Sequence, residues 1–71
     1  MTPRDQRLAE AVREACAAAF QTRADNLRAT VLAGDLGAKE RRRVVAIVRG
    51  LDANAAFLRA LDVAAVVASV E

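Results

Sequence analysis

A small all-α bundle of four or five short helices is the fold this 71-residue chain predicts. Three observations point there. Val44, Val45, Ile47, Val48 and Leu51 follow the i, i+3, i+4, i+7 spacing of a helix's buried stripe. Thr2-Pro3-Arg4-Asp5 carries a helix-start signature, and Thr22-Arg23-Ala24-Asp25 repeats it. Gly34-Asp35-Leu36-Gly37 reads as a loop, while Asp52 and Asp62 each precede an Ala- or Val-rich segment, as an N-cap does.

The first helix is expected over about residues 3 to 21. Thr2 is its N-cap, Pro3 takes the first helical position, and Asp5 closes a capping-box-like pair. Leu8, Val12, Ala15, Cys16, Ala19 and Phe20 form its apolar stripe, with Arg4, Arg7, Glu10, Arg13, Glu14 and Gln21 around it. The repeated signature at Thr22 starts a second helix, a continuous first helix being the alternative. Ala24, Leu27, Val31 and Leu32 give that second helix its inner side, and Gly34 stops it.

A central helix runs from about Ala38 to Arg49. Lys39, Arg41, Arg42 and Arg43 form a basic collar on its first turns, against the helix dipole, and only Glu40 partly offsets them. Gly50 weakens or ends it. Two short helices follow at about 53 to 61 and 63 to 70, or one from 53 to 70; Phe57, Leu58 and Leu61 serve the core in either case. Residues 60 to 70 hold one charged side chain, Asp62, and Val63, Val66, Val67 and Val70 cover more than one face. A terminal helix so apolar is expected to pack in a groove, its own or a neighbour's.

Bulk composition bounds the functional class. A chain this short is one domain and buries only about 60% of its unfolded surface, so its stability is marginal. One Cys and no His leave no intrachain disulfide and no ordinary tetrahedral zinc site. Association is the remaining support, and 55% apolar residues is high for so short a chain. Net charge is +2, and the balance of ten Arg and one Lys against nine carboxylates permits nucleic-acid binding without requiring it. Arginine in preference to lysine, with eighteen Ala, reads as a GC-rich coding bias rather than a partner's demand. The longest apolar runs, Ala15 to Phe20 and Val63 to Ala68, fall far short of the roughly 18 residues of a membrane span. The N-terminus lacks the basic-then-apolar order of a signal peptide. These readings predict a cytoplasmic protein with a reduced Cys16 and no membrane partner.

Catalytic chemistry has little to work with. Without His, Tyr or Trp, the commonest general base is missing, and Cys16 lies on an apolar stripe where a buried structural thiol is expected. Glu10 and Glu14 share a helix face with Arg7 and Arg13 close by, which reads as a salt-bridged surface rather than a metal site. Gly34-Asp35-Leu36-Gly37 matches no phosphate-binding loop. The expectation is a protein that is not an enzyme, with no cofactor, no metal and no small-molecule substrate.

Two binding classes remain. Helix, Gly-containing turn and helix over residues 23 to 49 superficially match a helix-turn-helix. Setting the turn at Gly34 puts Asp35, Glu40 and Arg43 where apolar residues belong, and setting it at Gly37 puts Arg43 in the core. The basic cluster can contact phosphates without reading bases, but no aromatic accompanies it for stacking. The favoured function is a protein–protein interaction or oligomerisation module. In architecture alone, short capped helices with few aromatics and no catalytic set resemble small helical adaptor modules, death-fold-like domains among them. Lys39, Arg41, Arg42 and Arg43 would supply electrostatic selectivity, pairing with carboxylates such as Asp25, Asp35 or Asp52 of another copy. Val63, Val66, Val67 and Val70 would supply apolar contact. A small DNA- or RNA-binding protein using the same basic cluster is the alternative.

Overall fold

The computed structural model describes residues 2–70 and is all-helical, with three helices rather than four or five. Helix α1 spans Pro3–Leu32, α2 Ala38–Ala60 and α3 Val63–Val70. At 1.5 Å per residue α1 is about 45 Å long, nearly the 51 Å length of the molecule, whose other extents are 19 and 12 Å. The protein is therefore a long helical hairpin, α1 against α2, with α3 as a short arm. It lacks the compact multi-helix architecture on which the likeness to adaptor modules rested.

α1 starts where the capping residues predict. Thr2 Oγ1 accepts a hydrogen bond from Asp5 N at 3.1 Å, and Pro3 opens the first turn. The expected break at Thr22 does not occur. No Gly or Pro interrupts residues 4 to 33. Thr22, the expected cap, lies within the helix, and Asp25, in the place of the capping partner, accepts from Arg28 Nη1 at 2.8 Å. Ala17 and Ala24, on either side of Thr22, are both fully buried against α2, and that continuous packing carries the helix through.

Gly34 does end α1. Its φ of +81° follows the Ala33 cap, and its N–H donates to Val31 O at 3.2 Å. Gly50, expected to weaken or stop the central helix, lies inside α2. A single interior glycine costs about 1 kcal/mol, less than the packing of Val48, Leu51, Ala55 and Leu58 on either side returns. The two glycines therefore respond oppositely to alanine. Gly34→Ala forces a side chain into the left-handed region and should lower stability by about 1 kcal/mol. Gly50→Ala, whose new Cβ meets nothing within 4 Å, should raise it by about 0.5–1 kcal/mol. Urea titrations followed by helical circular dichroism read both.

Asp52 is no N-cap either. Its carboxylate accepts from Arg28 Nη2 at 2.6 Å and from Gln21 Nε2 at 3.3 Å, tying α2 to α1. Asp62 is one: its Oδ1 accepts from Ala65 N at 3.2 Å. The chain bends by 76° there, which excludes the single helix over 53 to 70. Arg13 Nη1 reaches across to donate 2.7 Å to Leu61 O, holding the bend against α1, while its Nε is buried without a partner among the described residues.

The seam between α1 and α2 follows a coiled-coil repeat. On α1 it uses Glu10, Arg13, Ala17, Phe20, Ala24, Leu27 and Val31; on α2 it uses Val44, Val48, Leu51, Ala55 and Leu58. Steps of three and four alternate along both, and every one of these residues is buried or half-buried. Among the described residues Ala17, Ala24, Val48 and Ala55 are the buried core, and three of the four are alanines. Small side chains let two long helices lie close together, but they enclose little apolar volume.

Candidate interaction surface

The hairpin has two unlike sides, and the seam defines them. Residues one place after seam positions carry polar contacts between the helices. Glu14 accepts from Arg59 Nη2 at 3.1 Å, and Gln21 and Arg28 both bond Asp52. These pairs are about half exposed, so each contributes about 0.2–1 kcal/mol. Their main effect is to fix the axial alignment of the helices.

Residues one place before seam positions lie on the opposite side by the same geometry. They include Ala9, Cys16, Ile47 and Asn54, with Val12, Ala19 and Phe57 one step further round and Leu8 at the outer edge. Ala9, Val12, Cys16 and Ala19 on α1 and Ile47 and Phe57 on α2 make part of this side apolar, whereas Arg23, Asn26 and Thr30 on α1 and Arg43 and Asn54 on α2 make the rest polar. Leu8 is 65% exposed, Val12 56%, Ile47 50% and Phe57 66%. Cys16, Ala19, Phe20 and Arg23 line a shallow depression on it.

Leu8, Val12, Ala15, Cys16 and Ala19 were expected to be the buried stripe of the first helix, yet all are exposed. Of that set only Phe20 reaches the seam. Leu32, expected inward, is among the most exposed apolar residues. Ile47 and Phe57 are likewise more than marginally open rather than core. The reason is compositional: with eighteen alanines nearly every helix position tolerates burial, and close approach selects Ala17 and Ala24 over the larger side chains. Ala24, Leu27 and Val31, read as an inner side, do lie on the seam, and carrying their three-four spacing back through Phe20, Ala17 and Arg13 was the signal for the register of residues 8 to 20.

The basic collar stands where expected, on the first turns of α2. Lys39, Arg41, Arg42 and Arg43 are exposed and make no ion pair among the described residues. Gly37 caps that helix without any side-chain hydrogen bond, so the N-terminal dipole opposes this charge unaided except by Glu40. Arg41, Arg42 and Arg49 line one shallow groove with Val45 and Ala46. Of the carboxylates proposed to meet the collar in another copy, Asp25 and Asp52 already hold Arg28. Asp35 makes no ion pair among the described residues.

α3 is less enclosed than its apolar sequence predicts. Val63 and Val67 are half-buried, while Val66 and Val70 project outward. No single helix among the described residues is long and apolar enough to cross a membrane. No protein-family model matches the chain, and neither does any curated protein or solved structure.

Proposed function

We propose that this chain is a protein–protein interaction module that carries no chemistry of its own and docks through the apolar side of its hairpin. One observation carries the reading: Val12, Ile47 and Phe57, with Leu8 at the edge, are each half or more exposed on one side, while the other side carries the ion pairs Arg28–Asp52 and Arg59–Glu14. Its total accessible surface supports the same view. A compact protein of 7.5 kDa exposes about 4,300 Å², whereas this one exposes 5220 Å². Its radius of gyration is 16.2 Å, against about 11 Å for a compact chain of this length. Large apolar side chains left exposed on one side of so thin a molecule are the mark of an interface. The collar of Lys39 and Arg41 to Arg43 orients the partner electrostatically, and Val66 and Val70 of α3 extend the contact.

The groove of Arg41, Arg42 and Arg49 supports a second reading, phosphate contact with DNA or RNA. It accounts for the collar but leaves the apolar side without a use.

Thiol labelling of Cys16 in intact cells expressing the chain tests the first reading, because Cys16 sits on the apolar side. Labelling should be slow in the wild type and at least tenfold faster in Phe57→Asp. Full-rate labelling of the wild type would mean the side is open in the cell and the reading fails. Nucleic-acid affinity with a steep salt slope, lost in Arg42→Glu, would establish the second reading instead.

A further inference from the structure

We infer that the hairpin, at the end where α1 turns into α2, carries a docking groove for an acidic helix of another protein. That helix has two carboxylates seven residues apart and an apolar residue between them. From the interaction-module reading this takes only that the partner is a protein. The groove lies on the side that carries the ion pairs, away from the outer apolar residues.

Two shallow depressions make it. Arg28, Val31, Val45, Val48, Arg49 and Asp52 line one, in the cleft between α1 and α2. Arg41, Arg42, Val45, Ala46 and Arg49 line the other. They meet at Val45 and Arg49, and the floor is apolar: Val48 is buried, Val31 and Val45 are half-buried and Ala46 is exposed. Arg41, Arg42 and Arg49 are exposed and make no ion pair among the described residues. Arg28 differs, since Asp25 and Asp52 already neutralise it.

Helix periodicity sets the spacing of the ligand. Arg42 and Arg49 stand seven residues apart on α2, two turns or about 10 Å along the axis. Val45 and Ala46 fall between them, three and four residues after Arg42. The complement is a pair of acids about 10 Å apart that flank an apolar side chain. A helix with carboxylates at i and i+7 and an apolar residue at i+3 or i+4 supplies it on one face. An extended peptide does not, because α1 and α2 present no sheet edge to bond its backbone. The planar fork of arginine binds each carboxylate bidentately. Asp52, three residues beyond Arg49, repels further acid and ends the site there.

Other occupants fit worse. No two carboxylates of this chain stand seven or eight residues apart, so no helix of a second copy carries the pattern. A nucleic-acid strand would press its polar backbone on Val31, Val45 and Ala46, and no aromatic lines the groove for a base to stack on.

The probe is an Ala- and Gln-based helical peptide of about 20 residues with blocked ends. It carries two Glu seven residues apart, with Leu three and four residues after the first. Titrated into the purified chain, it should shift the backbone amide resonances of Val45, Ala46 and Arg49 and saturate below millimolar peptide. A scrambled peptide of the same composition should bind about tenfold more weakly, and so should the original peptide to Arg49→Glu. Equal binding of the scrambled peptide, equal binding to a folded Arg49→Glu, or no shift at millimolar peptide overturns the proposal. Should Arg49→Glu lose its helical circular dichroism, Arg42→Glu at the other end of the groove reads the same pairing, a change that the helix dipole favours. A single-stranded oligonucleotide that binds the same residues more tightly than the peptide, with a steep salt slope, overturns the proposal in favour of phosphate contact. Each of these failures leaves Cys16 labelling in cells unchanged, so the interaction-module reading stands or falls separately.

Discussion

Ala17→Asp should abolish the hairpin, whereas Ala15→Asp, two residues away on the same helix, should leave its helicity intact. Ala17 is fully buried on the seam and Ala15 is exposed. A carboxylate at position 17 would be desolvated against α2 with no cation placed to receive it, at a cost of several kcal/mol. A 71-residue chain has a total stability of only about 4–10 kcal/mol, so that single change takes most or all of it. At position 15, on the outer stripe, the same carboxylate stays in water in the single hairpin, and there the change should fall within about 0.5 kcal/mol. Helical circular dichroism at 25 °C reads both. Equal loss in the two variants, or loss in Ala15→Asp alone, would mean that the first helix buries the stripe of its larger apolar residues after all.

How far the sequence reveals this fold depends on which residues carry the signal. The ends of the elements were legible because they rest on local chemistry. Thr2 and Asp62 cap through their own side chains, and Gly34 alone supplies the left-handed turn. The breaks at Thr22, Gly50 and Asp52 were misread because local signals there lose to packing. Asp25 and Asp52 have the residue type of caps, but Arg28 lies within reach of both and turns them into a link within α1 and between the helices. No pattern local to residues 22 to 25 shows that. The buried register was legible at Ala24, Leu27 and Val31 and at Val44, Val48 and Leu51, but over residues 8 to 20 it was illegible for a different reason. Periodicity is read from large apolar residues, and here the buried ones are mostly alanine, so the strongest stripe, Leu8 to Ala19, marks the outside. That misreading is itself informative, since a stripe strong enough to look like core is what a docking side requires. The collar of Lys39 and Arg41 to Arg43 was found from sequence because a run of charge must reach solvent in any fold.

Oligomerisation through the outer apolar residues, as one form of the proposed module, should also make the stability of each copy depend on concentration. The buried residues of the seam are Ala17, Ala24, Val48 and Ala55, and its larger side chains, Phe20, Leu27, Val31, Val44, Leu51 and Leu58, are only half-buried. Leu8, Val12, Ile47 and Phe57 are more exposed still, and burying a side chain of that kind fully is worth about 1.5–3 kcal/mol. Much of the available hydrophobic stabilisation therefore lies on the outer side and is realised only on association. Because only the folded chain presents that side, mass action raises apparent stability as the chain is concentrated.

Thermal unfolding of the wild type and of Phe57→Asp, followed by circular dichroism over a hundredfold range of chain concentration, tests this account most directly. The wild-type midpoint should rise by about 3–6 °C for each tenfold increase, and the Phe57→Asp midpoint should lie lower and stay constant. A wild-type midpoint independent of concentration would show that the hairpin's stability is complete within one chain, and would contradict the account.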